Sequence, residues 1–347
     1  MQPVTGGVAL SQVILTQTDT KGQPRWKLTA RGVTYREGQQ VVQAKALKGQ
    51  LYAGKQTTFD IAAETATIRQ SSQQIRLQGR IQVVDRQRKM LFQGRKALWN
   101  SQSGQLTVAD GLTVSHPQLQ MWARTLRASE RGKTVQVQGN VVIETRPEQP
   151  NGERLRLKTN QALWRLNQEW IQAGMVATNG EQPTVTVDQL GKQEAISAVA
   201  GMVQADLKRR RVTLRDPVQL KASGLTLTSQ ALTWDAKNQR IFTQDLLQIQ
   251  DPHRQVSLLA NQGTWEPQRG LVKLQGKVSV TGQQERAQLQ ADQLLWNTQT
   301  QRIEANGNVN YVQDSPALAL RGPKAVGRLA DQAIRISGGN VVTEIVP

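Results

Sequence analysis

This chain of 347 residues contains no cysteine, two histidines and only 4% aromatic residues. Without cysteine it has no disulfide, no thiol nucleophile and no zinc-thiolate site, which leaves its redox compartment open. With so few aromatics, a core has to be made of Val, Leu, Ile and Ala, which suits thin β-layers. No apolar run approaches the ~18 residues that a membrane-spanning helix needs. The opening Met1-Gln2-Pro3 does not read as a signal peptide. Acidic residues are also scarce, 26 against 44 Lys and Arg, for a formal charge of +18. That excess is uneven: residues 1–170 carry 25 cations against 11 acids, whereas residues 171–347 carry 19 against 15. Such a field suits an anionic partner, whether nucleic acid, a phosphorylated lipid surface or an acidic glycan.

Enzyme chemistry has little to stand on. His116 precedes Pro117 and His253 follows Pro252, which places both in solvated turns. The glycines come singly, so no phosphate-binding loop is written, and no acidic pair clusters as glycoside cleavage would need. We expect a non-enzyme with no catalytic residues, no metal and no cofactor.

What the chain does have is a ruler. Trp234, Trp265 and Trp296 lie 31 residues apart, and eleven residues after them come Asp245, Gly276 and Gly307. This Gly/Asp slot recurs at Gly79, Asp110, Gly139, Met175, Asp216 and Gly338, with Trp99 and Trp164 again eleven before it. Apolar residues flank most slots at −4, −2, +2 and +4, as with Val272, Leu274, Val278 and Val280 around Gly276. A fixed period marks a stacked repeat, and apolar residues two apart on one face mark strands. Each repeat reads as two strands joined by a short polar connector, which favours antiparallel neighbours. The slot shares the parity of the inward residues, so it is expected either to bend the strand from one sheet into a facing one or to form a simple bulge. Residues 176–204 break the rhythm as a hinge or an inserted hairpin, and the hairpin is the favoured reading. Lys208-Arg209-Arg210-Arg211 falls at a connector position and reads as a solvated turn before it reads as a binding patch. The tryptophans, in phase with Leu and Val, read as core or groove lining before base-stacking platforms.

The segments Trp26-Lys-Leu-Thr-Ala, Leu47-Lys-Gly-Gln-Leu-Tyr52, Ile61-Ala-Ala-Glu-Thr-Ala66, Ile75–Val83 and Ala97-Leu-Trp99 resemble the LptC family of lipopolysaccharide export, related to LptA and the OstA-like domains. The resemblance spans about residues 8–145. It implies an all-β fold, an elongated open β-jellyroll of two facing antiparallel sheets, with 1–175 LptC-like and 176–347 continuing as OstA-like repeats of one body. It also implies a periplasmic protein tethered to the inner membrane by an N-terminal helix that this sequence lacks. Roughly 18 strands at ~4.8 Å spacing, in two sheets, would span about 40 Å, with the sheets ~10 Å apart.

On that reading the inward Val137, Val141, Leu214, Val218, Leu274, Val278, Val309, Trp265 and Trp296 line a groove for lipopolysaccharide acyl chains. Val8, Leu10 and Ile14 of the first strand, taken as favouring one side, and Val341, Val342 and Ile345 of the last would be docking edges. The N-terminal edge would meet the ABC transporter LptBFG, and the C-terminal edge an LptA-like or LptD-like jellyroll. Other readings are a closed structural or adhesive β-solenoid and a basic nucleic-acid-binding protein. Nucleic acid is not the expected partner.

Overall fold

The computed structural model describes residues 7–36, 41–53, 56–69, 73–100, 102–129, 133–147, 154–174, 184–191, 196–282, 286–314, 317–328, 333–338 and 342–344. It divides into two units, Met1–Ile171 and Gln172–Pro347. The first holds β1 (Gly7–Thr18), β2 (Pro24–Arg36), β3 (Val41–Ala53), β4 (Gln56–Arg69) and β5 (Gln74–Asp85). It continues with β6 (Met90–Asn100), β7 (Gln105–His116), β8 (Leu119–Ser129), β9 (Thr134–Thr145) and β10 (Arg154–Arg165), and β11 (Trp170–Ala173) lies at the division. The second holds β12 (Val185–Leu190), β13 (Ser197–Asp206), β14 (Arg211–Ala222), β15 (Leu225–Asp235), β16 (Arg240–Thr243) and β17 (Leu247–Asp251). Then come β18 (Val256–Ala260), β19 (Gln262–Glu266), β20 (Leu271–Gly282), β21 (Ala287–Asn297) and β22 (Arg302–Asp314). The last are β23 (Ala317–Arg328), β24 (Ala333–Ser337) and β25 (Val342–Glu344). Among the described residues the one helical element is the 3-10 turn Pro267–Arg269. The fold is all-β and antiparallel.

The 31-residue period is two strands of this meander. Trp296 of β21 stands opposite Val272 of β20 and Ile303 of β22, and Trp265 stands opposite both Ile241 and Val272. Across β15, β16, β19, β20 and β21 a tryptophan therefore returns in one row on every second strand.

The slot is a bulge, and it is also a bend. The ladders change register between Gln78 and Ile81, Ala109 and Leu112, Arg215 and Val218, Gln275 and Val278, and Asn306 and Val309. Slot residues take positive φ: +89° at Gly79, +61° at Asp110, +64° at Asp216 and +79° at Gly307. The extra residue turns the slot outward, so Leu77 and Ile81 are buried while Gly79 between them is half-buried. The slot's inward parity does not carry through, because parity holds only along an unbulged strand.

Beyond each bulge the strand enters a second layer. One half of β15 pairs with β16 through Trp234 and Ile241, and the other half pairs with the separate strand β17 through Leu227 and Ile249. The chain between β16 and β17 contains Asp245, at the slot itself. The inner-face residues of both halves are buried to within a few per cent, as at Leu274 (1%) and Val278 (2%). A lone sheet would leave that face in water, so the halves face one another, as in a β-jellyroll.

Glycine at the slot serves space as well as φ. A Cβ on Gly79 or Gly307 would overlap the carboxylate of Glu64 or Asp292, each at the bulge of the preceding strand. In the irregular region, β12 pairs with β13 as an ordinary hairpin. Met175 and most of the loop before β12 lie outside the described residues.

Candidate functional site

The inner faces of the two layers are the candidate site. Val137 and Val141 belong to β9, Leu214 and Val218 to β14, Leu274 and Val278 to β20, and Val309 to β22. All seven are buried, as are Trp265 and Trp296. The five slot tryptophans are at most 8% exposed, so they present no open face for base stacking. Position by position, these residues make an apolar interior within each unit.

The interior is mostly filled. In the first unit a cavity of about 70 Å³ remains between the layers. Leu51, Phe59, Ile61 and Phe92 line it from one layer, and Trp99, Leu106 and Val135 from the other. Asp85, Arg88 and Lys133 also line it, at the turn ends of the strands. This end, opposite the bulges, is the mouth of the unit. The cavity is room for a few waters or methylenes, not for a whole acyl chain, so admitting one requires the layers to part.

Two contacts brace the mouth across the layers. Arg88 donates through Nη1 to Asp85 Oδ2 at 3.0 Å and through Nη2 to Asn167 Oδ1 at 3.2 Å, joining turns 79 residues apart. His116, at the end of β7, meets Trp164 of β10 edge to face at 5.0 Å between ring centres. His116 is therefore half-buried against the facing layer rather than in a solvated turn, which corrects the sequence expectation. Burial holds its pKa below the ordinary value; Glu169 pulls it up and Arg146 lowers it further. Its Nδ1 accepts the Gln118 N–H, so the neutral ring carries its proton on Nε2.

The polar connectors are a turn device. Asp85, Asp235 and Asp251 end their strands with nearly buried carboxylates, and each accepts the backbone N–H three residues on. Asp206 does the same for Arg209, so the run Lys208–Arg211 is a hairpin turn, with Arg211 also donating to Asp235. Burial pushes the Asp235 pKa up, but the Asn238 side chain and backbone and the Arg211 guanidinium outweigh it, and the net shift is downward. A depressed folded pKa gives stability that is present above the unfolded value and lost as pH falls through the folded one. The melting temperature should therefore drop more steeply below pH ~4 in the native chain than in Asp235→Asn. Parallel pH profiles would show the carboxylate contributes nothing to acid sensitivity.

The end strands are single-sided among the described residues: β1 pairs with β2, and β24 and β25 pair with β23. Leu10 and Ile14 are 51% and 60% exposed, but they do not share a face. Leu10 stands opposite buried Val33, and Ile14 opposite exposed Thr29. The left-handed Gln12 (φ 53°) between them shifts the phase. Val8 pairs through its backbone with Tyr35. Val342 is 59% exposed, and Val341 and Ile345 lie outside the described residues. Among those residues no three His, Asp or Glu gather as metal ligands, and no helix is long and apolar enough to cross a membrane.

Comparison with known proteins places one stretch. Residues 8–146 match the family model described as lipopolysaccharide-assembly, LptC-related, and over that stretch the chain is similar to those proteins. No curated protein matches. Among solved structures, LptH, the LptA-homologous periplasmic component of the lipopolysaccharide transport device of Pseudomonas aeruginosa, is 14% identical. That match covers 44% of this chain and 78% of LptH, with a TM-score of 0.21, a likeness too low to support a structural argument.

Proposed function

We propose that this chain is a non-enzymatic periplasmic component of lipopolysaccharide transport that takes acyl chains between its β-layers and passes them toward the outer membrane. The observation that carries this is the cavity of the first unit: apolar walls from both layers, cations Arg88 and Lys133 beside it, and a position within the LptC-related stretch. Each methylene moved from water into such an interior is worth about 0.8 kcal/mol, so a long chain supplies energy to part the layers. The phosphates of the head would stay outside, where the first unit's excess positive charge favours them. The single-sided end strands suit strand addition, with an inner-membrane transporter such as LptBFG at β1 and an LptA-like or LptD-like jellyroll at β25.

A closed structural solenoid is the competing reading, and the nearly filled interior favours it. One photo-crosslinking experiment separates the two. A probe at buried Val278 should label lipopolysaccharide, one at exposed Lys277 should not, and one at Val342 should label a protein neighbour. Absence of lipid labelling at Val278 would leave the closed solenoid, and equal labelling at Val278 and Lys277 would sink the inner-face assignment.

A further inference from the structure

The second unit holds polar atoms that its interior leaves unpartnered. The indole Nε1–H groups of Trp265 and Trp296 are buried with no acceptor, and so is the Oε1 acceptor of Gln301 with no donor. Buried donors and acceptors are paired in the great majority of cases. Their neighbours obey that rule. Thr298, in the turn between Trp296 and Gln301, bonds Gly270 through its N–H (2.7 Å) and its hydroxyl (3.1 Å). Asn297 accepts the backbone N–H groups of Gln299 and Thr300. Gln301 donates through Nε2 to the Thr298 carbonyl and leaves its Oε1 without a partner. Among the other tryptophans, Trp26 Nε1 donates to Gln17, whereas Trp164 Nε1 in the first unit is also buried without an acceptor.

The ladder and its turn bring together the residues that carry these atoms. Trp265 and Trp296 flank Val272 in one inner-face row, two strand spacings (~10 Å) apart. Gln301 closes the β21–β22 turn five residues after Trp296, in a left-handed conformation (φ 61°). One hairpin thus carries an orphan donor and an orphan acceptor, with a second orphan donor nearby on the same layer.

We propose that this hairpin is a polar subsite for a group that both accepts and donates, a hydroxyl or secondary amide close to the head of an acyl chain. Trp296 Nε1–H donates to the oxygen of that group, whose own O–H or N–H donates to Gln301 Oε1. Trp265 Nε1–H is left for a second oxygen, such as an ester carbonyl. The subsite rests on the acyl-chain reading of the interior and adds to it a preference for functionalised chains.

The test compares two probes of equal length, myristate and β-hydroxymyristate, titrated into the full chain. The native protein should bind β-hydroxymyristate about fivefold more tightly. Trp296→Phe, which removes the donor, and Gln301→Met should both erase that preference. The indole proton resonance of Trp296 should move downfield with β-hydroxymyristate and not with myristate. Equal affinity of the native chain for both probes overturns the subsite alone, as does a preference that survives in both variants. An indole resonance already hydrogen-bonded and unmoved by ligand shows that a buried water serves it, which also overturns the subsite. If neither probe binds, the acyl-chain reading falls and the subsite falls with it.

Discussion

Trp265→Ala should lower the unfolding free energy by about 3–5 kcal/mol in a urea titration. Trp265 is 4% exposed and stands between Ile241 and Val272 in the row that continues to Trp296. Truncation removes one of the largest side chains of that row, and the hole cannot close easily. The backbone on both sides is fixed by ladder hydrogen bonds, and the neighbouring β20 runs on through its bulge into the facing layer. Transfer and cavity costs therefore add. Trp170→Ala is the comparison: Trp170 is only half-buried, with the Arg165 guanidinium 4.8 Å above its ring, and should cost about 1 kcal/mol. A loss below about 0.5 kcal/mol at Trp265, with lipid binding abolished, would make it a ligand platform instead of a wall.

The same row shows how far the sequence could be read. Trp234, Trp265 and Trp296 come at a period of two strands, so their spacing already placed them side by side. Alternation around Gly276 and Gly307 likewise picked out the inner residues Leu274, Val278 and Val309. Such local patterns record which face a residue takes, but not which distant residue it meets. The Arg88–Asn167 and His116–Trp164 contacts join opposite layers, and no periodicity links those pairs. Parity also fails wherever an unmarked left-handed residue intervenes, which is why Leu10 and Ile14 were given one face across Gln12. The orphan Trp and Gln atoms were illegible for another reason, since sequence reports a donor and not whether it has a partner. Gly174 escaped notice because the count from Trp164 falls one residue later, on Met175, and Gly201 because it lies in the stretch 176–204 where the rhythm breaks.

Gly201→Val should be among the most damaging substitutions in the second unit, at about 2–4 kcal/mol. Gly201 sits at the register change of β13, between Ala200 paired with Val218 and Met202 paired with Arg215. A Cβ there would overlap the carbonyl oxygen of Asp216, and a Cβ on Gly174 would overlap the carbonyl oxygen of Gly201. These are backbone atoms, so no flexible side-chain end can swing away. Asp216 is itself held in the left-handed region (φ 64°) and followed by Pro217, which limits how its carbonyl can turn. The strands must separate, and the ladder hydrogen bonds on either side of the bulge are strained or lost. Gly111→Ala isolates the conformational part of the cost. Its φ is +71°, but a Cβ would meet nothing within 4 Å, so it should lose only about 1 kcal/mol. Gly201 itself is not left-handed, so a loss there no larger than at Gly111, measured in one denaturant series, would show that close strand approach does not set the glycine requirement at this bulge.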